Sequence, residues 1–522
     1  MSSTTRKRPE LFTYPPLPEI KVCWLVTLGA LIYAWSLVYK ESQRFEWHIG
    51  DQASVKNLPL IGKRFKDEAN WEWGRWSPYA LHYLPIYAAH FVVFNVGTAV
   101  LSDKIFVPLY TLLSMAATAY TFTPLLVFYS IIQGLLVFTA STLIPRQLTV
   151  WISSIPILFY IMHNTHSLHT DPFLVLLFVA YSLLSYISFC LEAVARSPDP
   201  QTTDKSKDKS TTPAAIRPED DTVLKKLLRM YFYTFYQPYL VSVIVLYEDF
   251  EKQLVERKTR SRDWVGAGWY AVRLAFWWLL TDLLLHFCYF ESMLNHIDYV
   301  EKMDKKAFVA LGMALGQFFH LKYVVIFGLP SLFARLDNMQ PLPGPMCLAR
   351  VCLYSKVWRC FDRGLYAFFK KYIFIPICQP DFSLHKKIFG VVVSYSFVLL
   401  WHGFYHNNIV WIALNIAAMF IEMSSKAFYA SKGGRAWTDS HFSPLTLRRM
   451  LGWLQIIPFA FGLYSNFYFL GGSEVGGLYV DRVLLEETVT LRPFFWGLIT
   501  LGYFYTQTTM EVDRWETKTK TA

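Results

Sequence analysis

Along the chain, long apolar stretches alternate with short polar ones. The first apolar run covers 22–39, behind a proline-rich leader that carries Arg6, Lys7 and Arg8. Others follow at 79–101, 105–122, 124–143, 148–162 and 172–194, then at 264–290, 308–333 and 389–401, and finally at 450–470 and 494–506. A helix needs about 20 predominantly apolar residues to cross a bilayer. The pattern therefore predicts an all-α polytopic membrane protein, a helical bundle of about ten transmembrane helices. One or two re-entrant segments are expected where a run breaks, because irregular backbone at membrane depth must be covered by protein or line a cavity.

The polar breaks differ in kind. Residues 40–78 mix charge with tryptophan, a composition that suits a membrane interface. Residues 196–226 are rich in Ser, Thr and Pro with mixed charge, too polar to bury a core, and predict a flexible loop. Within 227–250, the run Tyr231 to Tyr236 is followed by Gln237-Pro238-Tyr239, an aromatic stretch stopped by proline. Residues 340–350 (QPLPGPMCLAR) hold three prolines and Cys347.

Composition narrows the class. Hydrophobic residues make up 54% of the chain and charged residues 17%, against about 25% charged in an average soluble domain. Mean hydropathy is +0.27. The first apolar run has no small-residue cleavage site behind it, so it reads as a retained helix with residues 1–21 cytosolic. The net charge of +11 is spread over loops, as at Lys258, Arg260 and Arg262, which fits contact with anionic lipid head groups. No nucleic-acid module is present. The seven cysteines form no C-x-x-C pair, and no disulfide framework is expected.

Candidate chemistry centres on 394–422. An apolar run closes on Trp401-His402-Gly403, a polar break follows (His406, Asn407, Asn408), and a second apolar run begins. A histidine in a membrane segment is costly unless it is paired or faces a water-filled cavity. His402 is thus either a functional group or a histidine hydrogen-bonded between helices. Asp282 and His286 share a helix face four residues apart and suggest a structural pair. His163, His166 and His169 read as a polar loop or, with a distant fourth group, a metal site. The amphipathic segment 351–376 carries Lys356, Arg359, Arg363, Lys370 and Lys371. These suit a phosphate-bearing ligand at a membrane mouth, or an interfacial helix whose basic side chains snorkel.

An apolar run closed by W-H-G and followed by another helix resembles the membrane-bound O-acyltransferase superfamily. The ordered blocks YVVIFGLP from Tyr323, ARLD from Ala334, WRCFDRGL from Trp358, YIFIP from Tyr372 and SNFYFLGGSEVG from Ser465 resemble its Hedgehog acyltransferase branch. The chain is similar to a divergent or invertebrate member, strongly from 264 onward and weakly before. In the family the aromatic-proline stretch is commonly followed by Gly-Pro, where this chain has Leu240-Val241.

The resemblance implies one membrane acyltransferase domain over 1–522, with a catalytic core at 264–510. It implies His402 as general base, Asp362 as the second catalytic position, and Trp358, Arg359, Asn415 and Asn466 as substrate-binding residues. The implied donor is palmitoyl-CoA. The implied acceptor is the N-terminal cysteine of a secreted Hedgehog-type signalling protein, acylated to an amide. Cys347 matches a position described as a haem iron ligand, which would make haem b a cofactor; a plain buried thiol is the other reading. Two further functions stay open: transfer to a lysophospholipid or sterol, and a non-catalytic binding or uptake factor, against which the presence of both His402 and Asp362 argues. Nothing resembles the paired broken helices of a transporter. Lys518 and Lys520, fifth and third from the end, resemble the dilysine signal read by coatomer, or form a plain basic tail over 511–522. The expected location is the endoplasmic reticulum membrane, or the Golgi membrane, among membrane lipids and with both termini cytosolic.

Overall fold

The computed structural model describes residues 13–50, 53–59, 61–196, 222–486 and 492–521, with side chains up to 517. Most of the flexible loop expected at 196–226, and the side chains of Lys518 and Lys520, lie outside the described residues.

Helix α1 spans Ile20–Phe45. An antiparallel hairpin follows, β1 Ala53–Leu58 and β2 Gly62–Asp67. Next come α2 (Trp71–Val100), α3 (Asp103–Phe122), α4 (Pro124–Leu143) and α5 (Gln147–His163), joined by short turns. Their ends follow from local chemistry. Asn70 caps α2 by accepting the Trp73 N–H at 2.8 Å, and Pro124 opens α4 where its missing N–H costs nothing. The apolar helical segment Pro172–Arg196 is α6. Then come α7 (Val223–Thr234), α8 (Tyr247–Thr259), α9 (Trp264–Leu284) and α10 (Lys305–Leu336). Two short helices, α11 (Tyr354–Cys360) and α12 (Arg363–Phe369), precede α13 (Leu384–His402). The chain finishes with α14 (His406–Ala430), α15 (Ile456–Tyr479) and α16 (Pro493–Thr521).

Among the described residues, eight helices are long and apolar enough to cross a membrane. Their outer faces carry large apolar side chains in the open, such as Leu25 at 75% and Leu143 at 77% exposure. Such a surface is stable against lipid and not against water. The protein is an all-α polytopic membrane protein, and the small hairpin is its one strand pair among the described residues.

Three sequence expectations change on the structure. The helix expected over 264–290 stops at Leu284, so Asp282 and His286 do not pair. Asp282 binds Lys66, and the His286 ring meets the Phe65 carbonyl at 3.2 Å. The charged stretch 40–78 contains the hairpin, which docks on the end of α9 through Asp67 N–H to the Leu285 carbonyl at 2.9 Å. Residues 511–521 are the last turns of α16 rather than a separate tail. Buried Glu511 pairs with buried Arg448 at 3.0 Å, and Arg448 also bonds the Pro15 carbonyl. Trp24 stacks on Trp515 at 6.0 Å, so the first turns of α1 meet the last turns of α16.

The aromatic stretch forms a buried broken segment: α7 stops at Thr234 and a single turn covers Gln237–Leu240. It is held by a hub on Asp337, just past α10. The Asp337 carboxylate accepts from Tyr236 OH (2.6 Å) and Asn95 Nδ2 (2.7 Å) and meets His90 Nε2 at 2.7 Å. The other His90 nitrogen meets Tyr110 OH at 3.0 Å, and Arg257 Nε donates to the Asp337 carbonyl at 2.9 Å. The hub locks α2, α3 and α10 together around the break and leaves the far side of α10 free to face α11–α15.

Candidate active site

His402 is the last residue of α13 because Gly403 ends the helix. Gly403 has φ +88°, a conformation that favours glycine, and a Cβ there would lie 2.8 Å from the Tyr405 ring. The freed carbonyls of His402 and Gly403 are satisfied by Asn408 Nδ2, at 2.8 and 3.0 Å. The imidazole stands edge-on to Trp411 (5.1 Å) and Phe469 (5.2 Å). Among the described residues neither ring nitrogen has a hydrogen-bond partner. The helix that carries Phe469, α15, breaks at Gly472, φ +79°.

Asp362 sits between α11 and α12 as the N-cap of α12, outside the spanning helices. Its carboxylate accepts the Leu365 N–H at 2.8 Å, which leaves acceptor capacity toward the space in front of it. Burial pushes the carboxyl up to about 6. The turn is pressed onto the broken segment: a Cβ on Gly364 would lie 2.1 Å from the Ile244 carbonyl.

Trp358 on α11 donates Nε1–H to Asn415 Oδ1 at 2.9 Å, and its ring stacks on Trp411 at 6.0 Å. Asn415 is fully buried behind it. The first turn of α11 is clamped by Glu422, which accepts the Tyr354 N–H at 2.5 Å and the Ser355 N–H at 3.2 Å. Tyr354 OH in turn donates to Asn466 Oδ1 at 3.3 Å.

These side chains converge on one cavity of about 1280 Å³, its open mouth included. His402, Asp362, Trp358 and Asn466 all line it. Asn415 stands behind Trp358. Arg359 is exposed and is not part of the lining. The sequence reading did not single out Tyr181, Gly316 or Trp411, which also line the cavity. An aromatic inside an apolar run carries no mark of the face it takes. The glycine at mid-helix in α10 was a readable signal. Most other lining side chains are apolar, so the few polar groups act in a low-dielectric space where each hydrogen bond is strengthened.

A thiolate can serve as an axial haem ligand, so Cys347 bears a test. It lies half-buried on the turn before α11 and does not line the cavity. One thiolate is all that a haem iron takes from such a protein, so Cys347 could hold the group only outside the cavity that His402 and Asp362 line.

The sequence is similar to known proteins over much of its length. The family model for membrane-bound O-acyltransferases matches residues 125–466, more than half of the chain. The chain is 32% identical to the protein-cysteine N-palmitoyltransferase Rasp of Drosophila melanogaster over 260 residues, 49% of this chain and 51% of that protein. It is 25% identical to the protein-cysteine N-palmitoyltransferase HHAT of Mus musculus over 505 residues, 93% of this chain and 96% of that protein. A weaker match, 22% over 259 residues, covers 48% of this chain and 50% of a mouse HHAT-like protein.

Proposed function

The chain belongs to the membrane-bound O-acyltransferase family, and on that premise we propose that it is a protein-cysteine N-palmitoyltransferase. It moves palmitate from palmitoyl-CoA to the N-terminal cysteine of a secreted Hedgehog-type signalling protein. The observation that carries this reading is the single cavity lined by both His402 and Asp362, with the His402 ring nitrogens free. Similarity to the mouse palmitoyltransferase over 93% of the chain supports the choice of substrates.

Transfer joins the acceptor amine nitrogen to the thioester carbonyl carbon and breaks the carbon–sulfur bond. The amine must shed a proton as it attacks, and the departing CoA sulfur must gain one. His402 performs both transfers: its imidazole takes the amine proton and returns it to sulfur, a task suited to a group whose ordinary pKa lies near 6.5. Asp362, anchored by its cap to α12, orients the incoming amine. Asn466 accepts from Tyr354 through its carbonyl, and its NH2 group then donates to the thioester oxygen as negative charge develops there. Trp358 forms a wall of the donor path. Arg359, exposed on α11, pairs with CoA phosphates outside the cavity. Residence in the endoplasmic reticulum through Lys518 and Lys520 belongs to the same proposal.

The test uses purified protein, palmitoyl-CoA and a peptide with an N-terminal cysteine. The expected product survives hydroxylamine, as an amide does, and a peptide with a blocked amine stays unmodified. Acylation of a lysolipid with the peptide untouched would move the chain to the lipid-acceptor reading.

A further inference from the structure

Helix α10 carries three interior glycines, and a glycine inside a helix weakens it relative to alanine. Two have a packing reason. A Cβ on Gly312 would come within 2.5 Å of the Phe467 ring and 2.6 Å of Tyr479 OH, and one on Gly328 within 2.5 Å of Leu274. Gly316 has no such reason. A Cβ there would meet nothing within 4 Å, and its φ is not among the positive ones. It lines the cavity on one stripe of α10 with Phe319, Tyr323 and Phe327, at the i, i+3, i+7, i+11 spacing of a helix face. The missing side chain therefore enlarges the cavity rather than permitting a fold contact.

We infer that Gly316 sets the length of acyl chain the protein accepts, its vacant side-chain position being filled by part of the donor's hydrocarbon. This rests on the acyl-CoA reading above. The surroundings favour hydrocarbon over a peptide: Phe319, Phe469 and Leu470 share the lining, and a peptide backbone held there would leave polar groups unsatisfied. A leucine at this position would take the room of about four methylenes in a close-packed site. Each methylene that no longer fits loses roughly fourfold in binding.

The experiment compares wild type, Gly316→Leu and Gly316→Ala with octanoyl-, lauroyl-, myristoyl- and palmitoyl-CoA at fixed acceptor peptide, reading product by mass. It also measures the KM for the peptide. Gly316→Leu is expected to lower kcat/KM for palmitoyl-CoA by at least about tenfold relative to lauroyl-CoA. Gly316→Ala should shift the same ratio by about two- to fourfold, and the peptide KM should hold. An unchanged chain-length profile overturns the inference, as does a raised peptide KM without a change in profile. Should the leucine variant fail to fold, the alanine variant decides alone, since its methyl enters open space on a better helix former. Wild type that transfers from no acyl-CoA removes the parent reading. Wild type that prefers palmitoyl-CoA alongside unshifted variants removes only the role of Gly316.

Discussion

Two inward-facing histidines divide the molecule into a region that holds and a region that waits. His90 is saturated: Asp337 meets one nitrogen and Tyr110 the other, inside a hub where Asn95, Tyr236 and Arg257 also converge. His402 lies beside the stacked rings of Trp411 and Phe469, lines the cavity, and has no hydrogen-bond partner for its ring nitrogens among the described residues. A buried polar group without a partner is costly. In the hub that cost is offset by mutual hydrogen bonding. At His402 it is tolerated because a neighbouring network fixes the backbone: Asn408 holds the end of α13, and Glu422 holds the start of α11. Satisfied polar groups mark the scaffold, and unsatisfied ones facing a cavity mark the chemistry.

The largest effect should come from exchanging the two histidines' fates. His402→Ala is expected to lower turnover by at least about 100- to 10,000-fold, the usual contribution of a positioned acid–base group, with thermal stability in detergent close to wild type. His90→Ala should do the reverse, melting earlier while each surviving folded molecule keeps its turnover. Similar loss of stability in both variants would erase the distinction.

The hub can be broken more directly at its centre. Asp337→Ala strands buried Tyr236 OH and His90 Nε2, while Asn95 Nδ2 keeps its bond to the Phe91 carbonyl; each unmet group costs about 1–3 kcal/mol. A loss of roughly 3–5 kcal/mol is expected, read as early aggregation on heating. Turnover per folded molecule should fall less than twofold. A large fall with normal melting would place Asp337 in the chemistry.

Asp362 tests the cavity side by pH. Its carboxyl titrates at about 6, above the ordinary value near 3.9. The folded state thus holds the proton more tightly than the unfolded one. The stability this gives is complete below about pH 4 and lost as pH rises through about 6. Asp362→Asn should therefore be at least as stable as wild type at pH 7.5, helped by the equal capping ability of asparagine. It should nonetheless lose about 100-fold or more in turnover. Wild-type activity should fall as the pH drops below about 6, and the acid limb of the variant should lose the Asp362 titration while keeping that of the His402 base. An unchanged kcat with a raised KM would make Asp362 a substrate ligand instead.

Much of this was legible in the sequence, for physical reasons. Lipid imposes long apolar runs, so α2 to α6 and α10 stand where the runs predict them. His402, Asp362, Trp358 and Asn466 lie in distinctive blocks and do line one cavity. The failures share a cause. The hairpin at 53–67 mixes charged residues with Val55, Leu58 and Phe65, and what fixes it is docking on α9, which composition does not encode. The Asp282–His286 pairing assumed a helix that continues past Leu284.

The smallest predicted effect lies at the cavity wall. The Trp358 ring lines the cavity, yet its Nε1–H is spent on Asn415, which is fully buried. Trp358→Phe keeps an aromatic ring and removes the bond, leaving the Asn415 oxygen without that donor. The expected cost is about 1–3 kcal/mol, shared between stability and a several-fold rise in the KM for palmitoyl-CoA. The kcat should change little, because His402 keeps its own supports from Asn408 and Trp411. Adding Asn415→Leu removes the stranded oxygen, so the double variant should recover most of the lost stability. The KM should stay raised, since the ring still lacks its tether. Recovery of KM together with stability would mean that the bond serves the scaffold alone. A collapse of kcat in the single variant would mean that Trp358 belongs with His402 in the chemistry.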